Sequence, residues 1–356
     1  THLGDDGGPV ALDRRRVAWL RSRRGVVVPA RWAGDEVGAD AITTLCAAGA
    51  LVEIDGAPPD DALLDVRLLE ALSNRAPDVT DDLRSVRLRR AALGRLWSVA
   101  ADAADATDAD GGRVAERPSI SVLLASRRPG DILPAVGRIA RQRDVDVQLV
   151  VGLHGPAWSD AEREAIAELW TGDLSISQHA DDETLGSMLG ALTARAEGSL
   201  VTKWDDDDWY GTDHLTDLTL AHRYSGADIV GKLAEFVFLE GSDVTIRRSS
   251  AAAESYASNL AGGTLCTTRG WIDEAGGWPD VPRHVDRLLL DATLDRGGST
   301  YRTHGFQYVL RRQPTAGAHT WTAPDEYFLA SAVERFDGLA LAAADIDDPG
   351  DRERLR

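Results

Sequence analysis

Cysteine is nearly absent from this chain: Cys46 and Cys266 are the only two in 356 residues. Two thiols cannot build a disulfide framework or a zinc cage. Basic residues are also short, 39 Lys and Arg against 58 Asp and Glu, for a formal charge of −19. That balance argues against a general nucleic-acid binder, which needs a basic face for phosphates, and against a polybasic membrane anchor. No uncharged apolar run approaches the roughly 20 residues of a membrane span. Residues 1–9 lack the basic-then-apolar layout of a secretory signal. The chain opens on Thr1 and its one methionine is Met188, so a trimmed native start is expected. Aromatics are 6%, among them 10 Trp, and their number alone does not separate ligand-stacking from core residues. What is present, 43% hydrophobic and 27% charged, allows a sizeable core. At about 150 residues per domain, the length points to about two domains. Composition predicts a soluble, cytoplasmic protein and assigns no activity.

The pattern divides the chain. Residues 1–100 read as a small accessory unit of α/β or helical type. It has strands near 25–28 and 51–54 and helices near 39–48, 61–72 and 80–99. The arginine-rich run 84–95 reads as a solvated helix face. The Ala/Asp-rich stretch 101–118 is a linker. Strands and helices then alternate: strands at 120–125, 145–151, 174–177 and 200–204, and helices at 132–143, 160–170 and 184–196. That alternation implies βαβ units and a mostly parallel sheet, whose ligands gather at the carboxyl ends of the strands. A helical extension is expected over 323–356.

The fourth strand runs into Lys203-Trp204-Asp205-Asp206-Asp207-Asp208-Trp209-Tyr210-Gly211. Four consecutive carboxylates repel one another and are destabilising without a cation. Hard oxygen ligands at such an edge suit Mg²⁺ or Mn²⁺, above all an ion shared with phosphates. An acidic turn before a helix cap is the plainer alternative. Its place after a buried strand, between Trp204 and Trp209, favours function.

Residues 120–129 read ISVLLASRRP, and Arg141-Gln142 ends the next helix. Ala196-Glu197-Gly198-Ser199-Leu200-Val201 leads into the acidic run. Together these resemble the nucleotide-sugar half of a family 2 glycosyltransferase with the GT-A fold. Downstream, Gly262-Gly263-Thr264-Leu265, Arg269 and Glu274-Ala275-Gly276-Gly277-Trp278 resemble its acceptor-side segment, and Val285-Asp286 stands where the family has Glu-Asp. The resemblance covers about residues 119–321. It implies a GT-A-type, Rossmann-like, mostly parallel sheet with flanking helices over 119–322.

Position by position, the resemblance makes Asp205 and Asp207 the D-x-D motif. The first carboxylate would meet ribose or a metal-bound water; the second would ligate Mn²⁺ or Mg²⁺ on the diphosphate. Asp206 and Asp208 would face elsewhere, because alternate residues of an extended segment point opposite ways. Asp286 is the implied catalytic base, stabilised as an anion in a first helical turn. Ser126 and Arg127 would cradle base and ribose, and His154 and Lys203 join Asp205 and Asp206 in donor binding. Arg302 and Arg311, with His304 and Arg312 nearby, could neutralise the leaving diphosphate. His319 would be a third metal ligand; packing against Trp321 is its alternative.

The chain also departs from the family. Its acidic pair after the second strand is replaced by Val151-Gly152-Leu153-His154-Gly155, which leaves the nucleotide base open. Its Arg-Asn before the fourth strand is replaced by Leu189-Gly190. The processive Q-x-x-R-W signature is absent, and Gln307-Tyr308-Val309-Leu310 does not match it. The implied activity is a metal-dependent, non-processive, inverting transfer of a sugar from a nucleoside-diphosphate sugar to a hydroxyl acceptor. That acceptor would be a glycan, a cell-surface polysaccharide or a small molecule. No nucleic-acid partner is expected, and a homo-oligomer is left open. One alternative is a nucleotidyltransferase acting on a sugar phosphate, although Ser126-Arg127-Arg128-Pro129-Gly130 is a poor version of its basic Gly-rich loop. Another is a non-catalytic nucleotide-sugar-binding subunit.

Overall fold

The structure, a computed structural model, describes residues 14–21, 25–73, 80–102, 119–156, 158–248, 252–314 and 325–347. The chain divides into two compact units, Thr1–Glu116 and Arg117–Arg356. No helix among the described residues is long and apolar enough to cross a membrane.

The first unit runs α1 (Arg14–Arg21), β1 (Val26–Pro29), α2 (Glu36–Ala47), β2 (Val52–Asp55), α3 (Val66–Ser73) and α4 (Asp81–Asp102). β1 and β2 pair in parallel and bury Val26, Val28, Val52 and Ile54 against Ile42, Leu45, Leu68 and Leu88. The third helix begins at Val66 rather than 61 because Asp65 takes the cap: its carboxylate accepts from Arg67 N at 2.9 Å. The arginines of α4 are not merely solvated. Arg84 reaches Glu53 at 3.0 Å, Arg89 the Ala47 carbonyl at 3.2 Å, and Arg95 the Leu63 carbonyl at 2.6 Å. Ala47 ends α2, where carbonyls lack helical partners, so arginine supplies the missing donor.

The second unit is α/β, with a large, mostly parallel sheet flanked by helices. It opens with β3 (Ser119–Ser126), α5 (Pro129–Ala140), β4 (Asp146–His154), α6 (Asp160–Leu169), β5 (Leu174–His179), α7 (Leu185–Thr193) and β6 (Leu200–Trp204). Then follow β7 (Trp209–Tyr210), α8 (His214–Ser225), β8 (Ile229–Gly231), β9 (Phe236–Leu239), β10 (Val244–Arg248), β11 (Ser255–Tyr256), β12 (Cys266–Thr267) and α9 (Arg269–Glu274). It closes with α10 (Val285–Asp295), β13 (Thr300–Arg302), β14 (Tyr308–Arg312), α11 (Asp325–Leu329) and β15 (Ala332–Asp337). The large sheet has the order β11-β13-β8-β12-β6-β3-β4-β5, with β6, β3, β4 and β5 all parallel. A second sheet, β15-β10-β9-β14-β7, stands beside it. Residues 325–347, expected as helix, contain only the short α11 before β15 joins this second sheet against β10.

Two local features set the working edge. Pro129 occupies the first turn of α5, where its missing N–H costs nothing, so that helix starts three residues before 132. β4 runs on to His154, three residues past the predicted end, in register with β5 up to His179. The carboxyl ends of β3, β4, β5 and β6 therefore meet at one edge, followed by the turns at 127–128, 155–156, 180–184 and 205–208.

Candidate active site

A cleft of about 700 Å³ opens at this edge. Ser126, Arg127, Arg128, His154, Asp181, Lys203, the run 205–208 and Asp286 line it, among others.

The acidic run is a turn, so its side chains do not alternate as on a strand. The four carboxylates have different partners. Asp208 is buried and accepts from the Tyr308 hydroxyl at 2.7 Å and from Arg311 N at 2.9 Å, which pins the turn to β14. Burial, with Asp207 and Asp205 adding, pushes its carboxyl well above the usual range. Asp206 is also buried; the Ser126 hydroxyl donates to it and Arg128 lies 3.0 Å away. The second arm of the Arg128 guanidinium reaches Asp207 at 2.5 Å. Asp205, partly exposed, pairs with Lys203 at 2.7 Å. Resident cations thus meet the repulsion that the sequence presents.

Burial pushes the Asp206 carboxyl up to about 7, with Arg128 opposing and Asp207 adding. Between about pH 4 and about pH 7 its folded form therefore holds a proton that the unfolded chain, with an ordinary carboxylate, has released. The associated stability is full below about pH 4 and is lost as pH rises towards about 7. Asp206→Asn should raise the melting temperature by several degrees at pH 8 in EDTA, with the gain shrinking steadily towards pH 4. A pH-independent difference in melting scans would contradict the burial argument.

Lys203 links this turn to α10. Its buried ammonium lies 2.7 Å from Asp205 and 3.4 Å from Asp286. Burial opposes its charge, but the two carboxylates outweigh that and raise its pKa. Asp286 sits in the first turn of α10, and its Oδ1 is buried with no hydrogen-bond partner among the described residues. Burial raises its pKa; Lys203 opposes this and Asp205 adds to it. His284, two residues earlier, is exposed and left-handed at φ 63°.

The Gly262-Gly263 pair packs directly under these acids. A Cβ on Gly262 would stand 2.0 Å from Asp286 Oδ2, and one on Gly263 2.6 Å from Asp205 Oδ2. Tyr210 holds the same backbone, donating to the Gly263 carbonyl at 3.0 Å. Gly262→Ala should push the Asp286 carboxylate aside while the backbone stays in place. If the site performs the sugar transfer that the resemblance implies, the expected result is at least a tenfold loss of that activity with a melting temperature within a few degrees of wild type. Full activity would show that this close approach is not needed.

On the other side of the cleft, Arg127 bonds Asp181 at 2.8 Å and its carbonyl at 3.0 Å, an exposed pair. His154 is buried, and its Nε2 has no partner among the described residues. Burial and Arg127 hold its pKa low, so the ring is neutral. Beside it, His179 is held by Ser177 at 2.8 Å and Glu183 at 3.0 Å.

Not every candidate gathers here. Arg302 bonds the Ala252 carbonyl at 2.8 Å, Arg311 bonds Glu240 at 2.9 and 3.1 Å, and neither lines the cleft. His319 and Trp321 lie outside the described residues, as does the predicted linker from 103 on. Asp181, Thr184 and Arg128 are among the cleft residues to which the sequence assigned no role. Asp181 and Thr184 belong to an acidic segment that caps α7, and Thr184 accepts from Ser187 N at 3.1 Å. Arg128 had no signal of its own, since it stands next to another arginine.

Among the described residues, no three His, Cys, Asp or Glu side chains are placed to hold a metal ion. Asp205 and Asp207 nevertheless offer two hard-oxygen donors from one turn of the cleft. That set fits Mg²⁺ or Mn²⁺ where phosphates and water complete the coordination.

No protein-family model matches the chain, and no curated protein matches it. Similar solved structures include S. aureus TarS 1-349 in complex with UDP-GlcNAc, at 13% identity and a TM-score of 0.45, over 64% of this chain and 69% of that one. Mannosyltransferase PcManGT from Pyrobaculum calidifontis in complex with GDP-Man and Mn²⁺ is 15% identical with a TM-score of 0.44, over 65% of this chain and 68% of that one. In another TarS 1-349 structure the match spans 60% of that chain and 54% of this one, at 13% identity and a TM-score of 0.43.

Proposed function

We propose that this chain is a GT-A-type glycosyltransferase that moves a sugar from a nucleoside-diphosphate sugar to a hydroxyl acceptor with inversion. The observation that carries the reading is Lys203, whose single ammonium joins a carboxylate of the acidic turn to the carboxylate that opens α10. A donor-side acid and an acceptor-side base are thereby held in one cleft.

In this reading Asp286 takes the proton from the acceptor hydroxyl as its oxygen attacks the anomeric carbon. The bond from that carbon to the diphosphate breaks on the opposite face. Its raised pKa makes Asp286 a stronger base than an ordinary Asp. Lys203 keeps it ionised and aimed. Asp205 and Asp207 would hold a divalent ion, which when bound would neutralise charge on the leaving diphosphate. Ser126, Arg127 and His154 border the space for ribose and base. Residues 1–100 serve as an accessory unit, and the protein acts in the cytoplasm on a glycan or polysaccharide precursor.

The test is the product. The chain should be incubated with Mn²⁺, a panel of nucleotide sugars beginning with UDP-GlcNAc and GDP-Man, and hydroxyl acceptors. Release of nucleoside diphosphate with sugar on the acceptor supports the proposal. Release of pyrophosphate from a nucleoside triphosphate and a sugar phosphate would replace it with nucleotidyl transfer. Binding without turnover would make the chain a nucleotide-sugar-binding subunit.

A further inference from the structure

We infer that Arg128 is the counter-ion of the acidic turn in the donor-free protein, and that it leaves Asp207 for the donor's diphosphate when donor and metal bind. The inference rests on the glycosyltransferase reading and gives a role to a residue of the loop after β3 that the resemblance left without one.

The guanidinium spans two neighbouring carboxylates, 3.0 Å from Asp206 and 2.5 Å from Asp207. A planar fork can make two such bonds at once, which an ammonium cannot copy. Asp206 and Asp207 are themselves 3% and 8% exposed at the side chain, whereas Arg128 is 38% exposed. The cation is therefore the member of the cluster free to swing. Its backbone is not: Arg128 caps α5, and its N–H donates to Ser126 Oγ at 3.0 Å. The pivot stays fixed while the long side chain moves across the cleft. Asp131, at 3.8 Å, is its other acidic neighbour and also lies 3.8 Å from Arg311.

The exchange follows from charge. A divalent ion on Asp207 would sit within a few ångströms of the guanidinium if Arg128 kept its present bond. Like charges that close repel by several kcal/mol even at an effective dielectric constant of about 20. Arg128 and the ion therefore compete for one carboxylate. The anion that arrives with the ion is a diphosphate, whose oxygens match the guanidinium fork. Arg127 does not contest this carboxylate: its guanidinium bonds Asp181 across the cleft and none of the acidic turn.

Mn²⁺ binding to the donor-free full chain, followed by electron paramagnetic resonance of the free ion, tests the competition. Arg128→Ala and Arg128→Gln should bind Mn²⁺ about tenfold more tightly than wild type. Arg128→Lys should fall between, since it keeps the charge but loses the fork. With saturating Mn²⁺, calorimetry should show the tightest wild-type binder among UDP, GDP, ADP and dTDP weakened about tenfold in the Ala and Gln variants. Mn²⁺ affinity that is unchanged or weaker in both variants, or absent from all forms, overturns the competition. Unchanged nucleoside-diphosphate affinity, or none in wild type, overturns the transfer to diphosphate. Sugar transfer by wild type is scored separately. Transfer combined with unchanged Mn²⁺ affinity would remove this role for Arg128 and leave the enzyme reading standing.

Discussion

Asp286→Asn is expected to lower sugar transfer by about a hundredfold or more while donor binding is kept. Asn preserves the shape of the side chain and a hydrogen-bonding oxygen but cannot accept the acceptor's proton. Burial raises the pKa of Asp286, Lys203 opposes that rise and Asp205 adds to it. Because the base acts as a carboxylate, wild-type transfer should fall as pH drops through a raised value, earlier than for a solvated Asp. The residual activity of Asp286→Asn should lose that acid limb. His284 is the rival, since histidine is the commonest general base. It is exposed and left-handed at φ 63°, so Asn, which tolerates that conformation, is the proper replacement. His284→Asn should cost less than tenfold. A transfer assay with both variants folded and binding donor equally decides the matter. A large loss in His284→Asn beside a small one in Asp286→Asn would move the base to the imidazole.

Chelation should have an effect of similar size. EDTA is expected to remove most transfer, and added Mn²⁺ or Mg²⁺ to restore it, because the cleft offers two carboxylates from one turn and leaves the rest of a coordination sphere to phosphate and water. Asp207→Ala should lose about a hundredfold or more in turnover and keep its fold. Arg128 would still pair with Asp206 at 3.0 Å, and Asp208 would still pin the turn through Tyr308 and Arg311. Asp208→Ala is the contrasting variant: it leaves the Tyr308 hydroxyl without its acceptor and should lower the melting temperature. Unchanged turnover in EDTA would end the metal-dependent reading.

Local pattern carried much of this protein. The buried run of β3, the start of α7 at Thr184 and the first-turn position of Asp286 each depend on a few adjacent residues. So does the strand–helix alternation that makes the sheet parallel and puts its working edge at the carboxyl ends. The two-residue strand β12, antiparallel between β6 and β8, was invisible because so short a segment is held only by its neighbours. The partners of each charged side chain were out of reach for the same reason. Arg127 and Arg128 are equivalent in sequence, yet one binds Asp181 and the other Asp206 and Asp207, at separations of 54, 78 and 79 residues. Arg302 and Arg311 read as phosphate ligands until Ala252 and Glu240 are seen to hold them. Four consecutive aspartates look interchangeable, and only Lys203, Arg128, Ser126 and Tyr308, arriving from their own strand, the cap of α5, β3 and β14, give each a different partner. Residue type and spacing determined which chemistry the chain can offer. Long-range packing decided which groups meet, because an ion pair is set by the positions of both partners and sequence order specifies only one of them at a time.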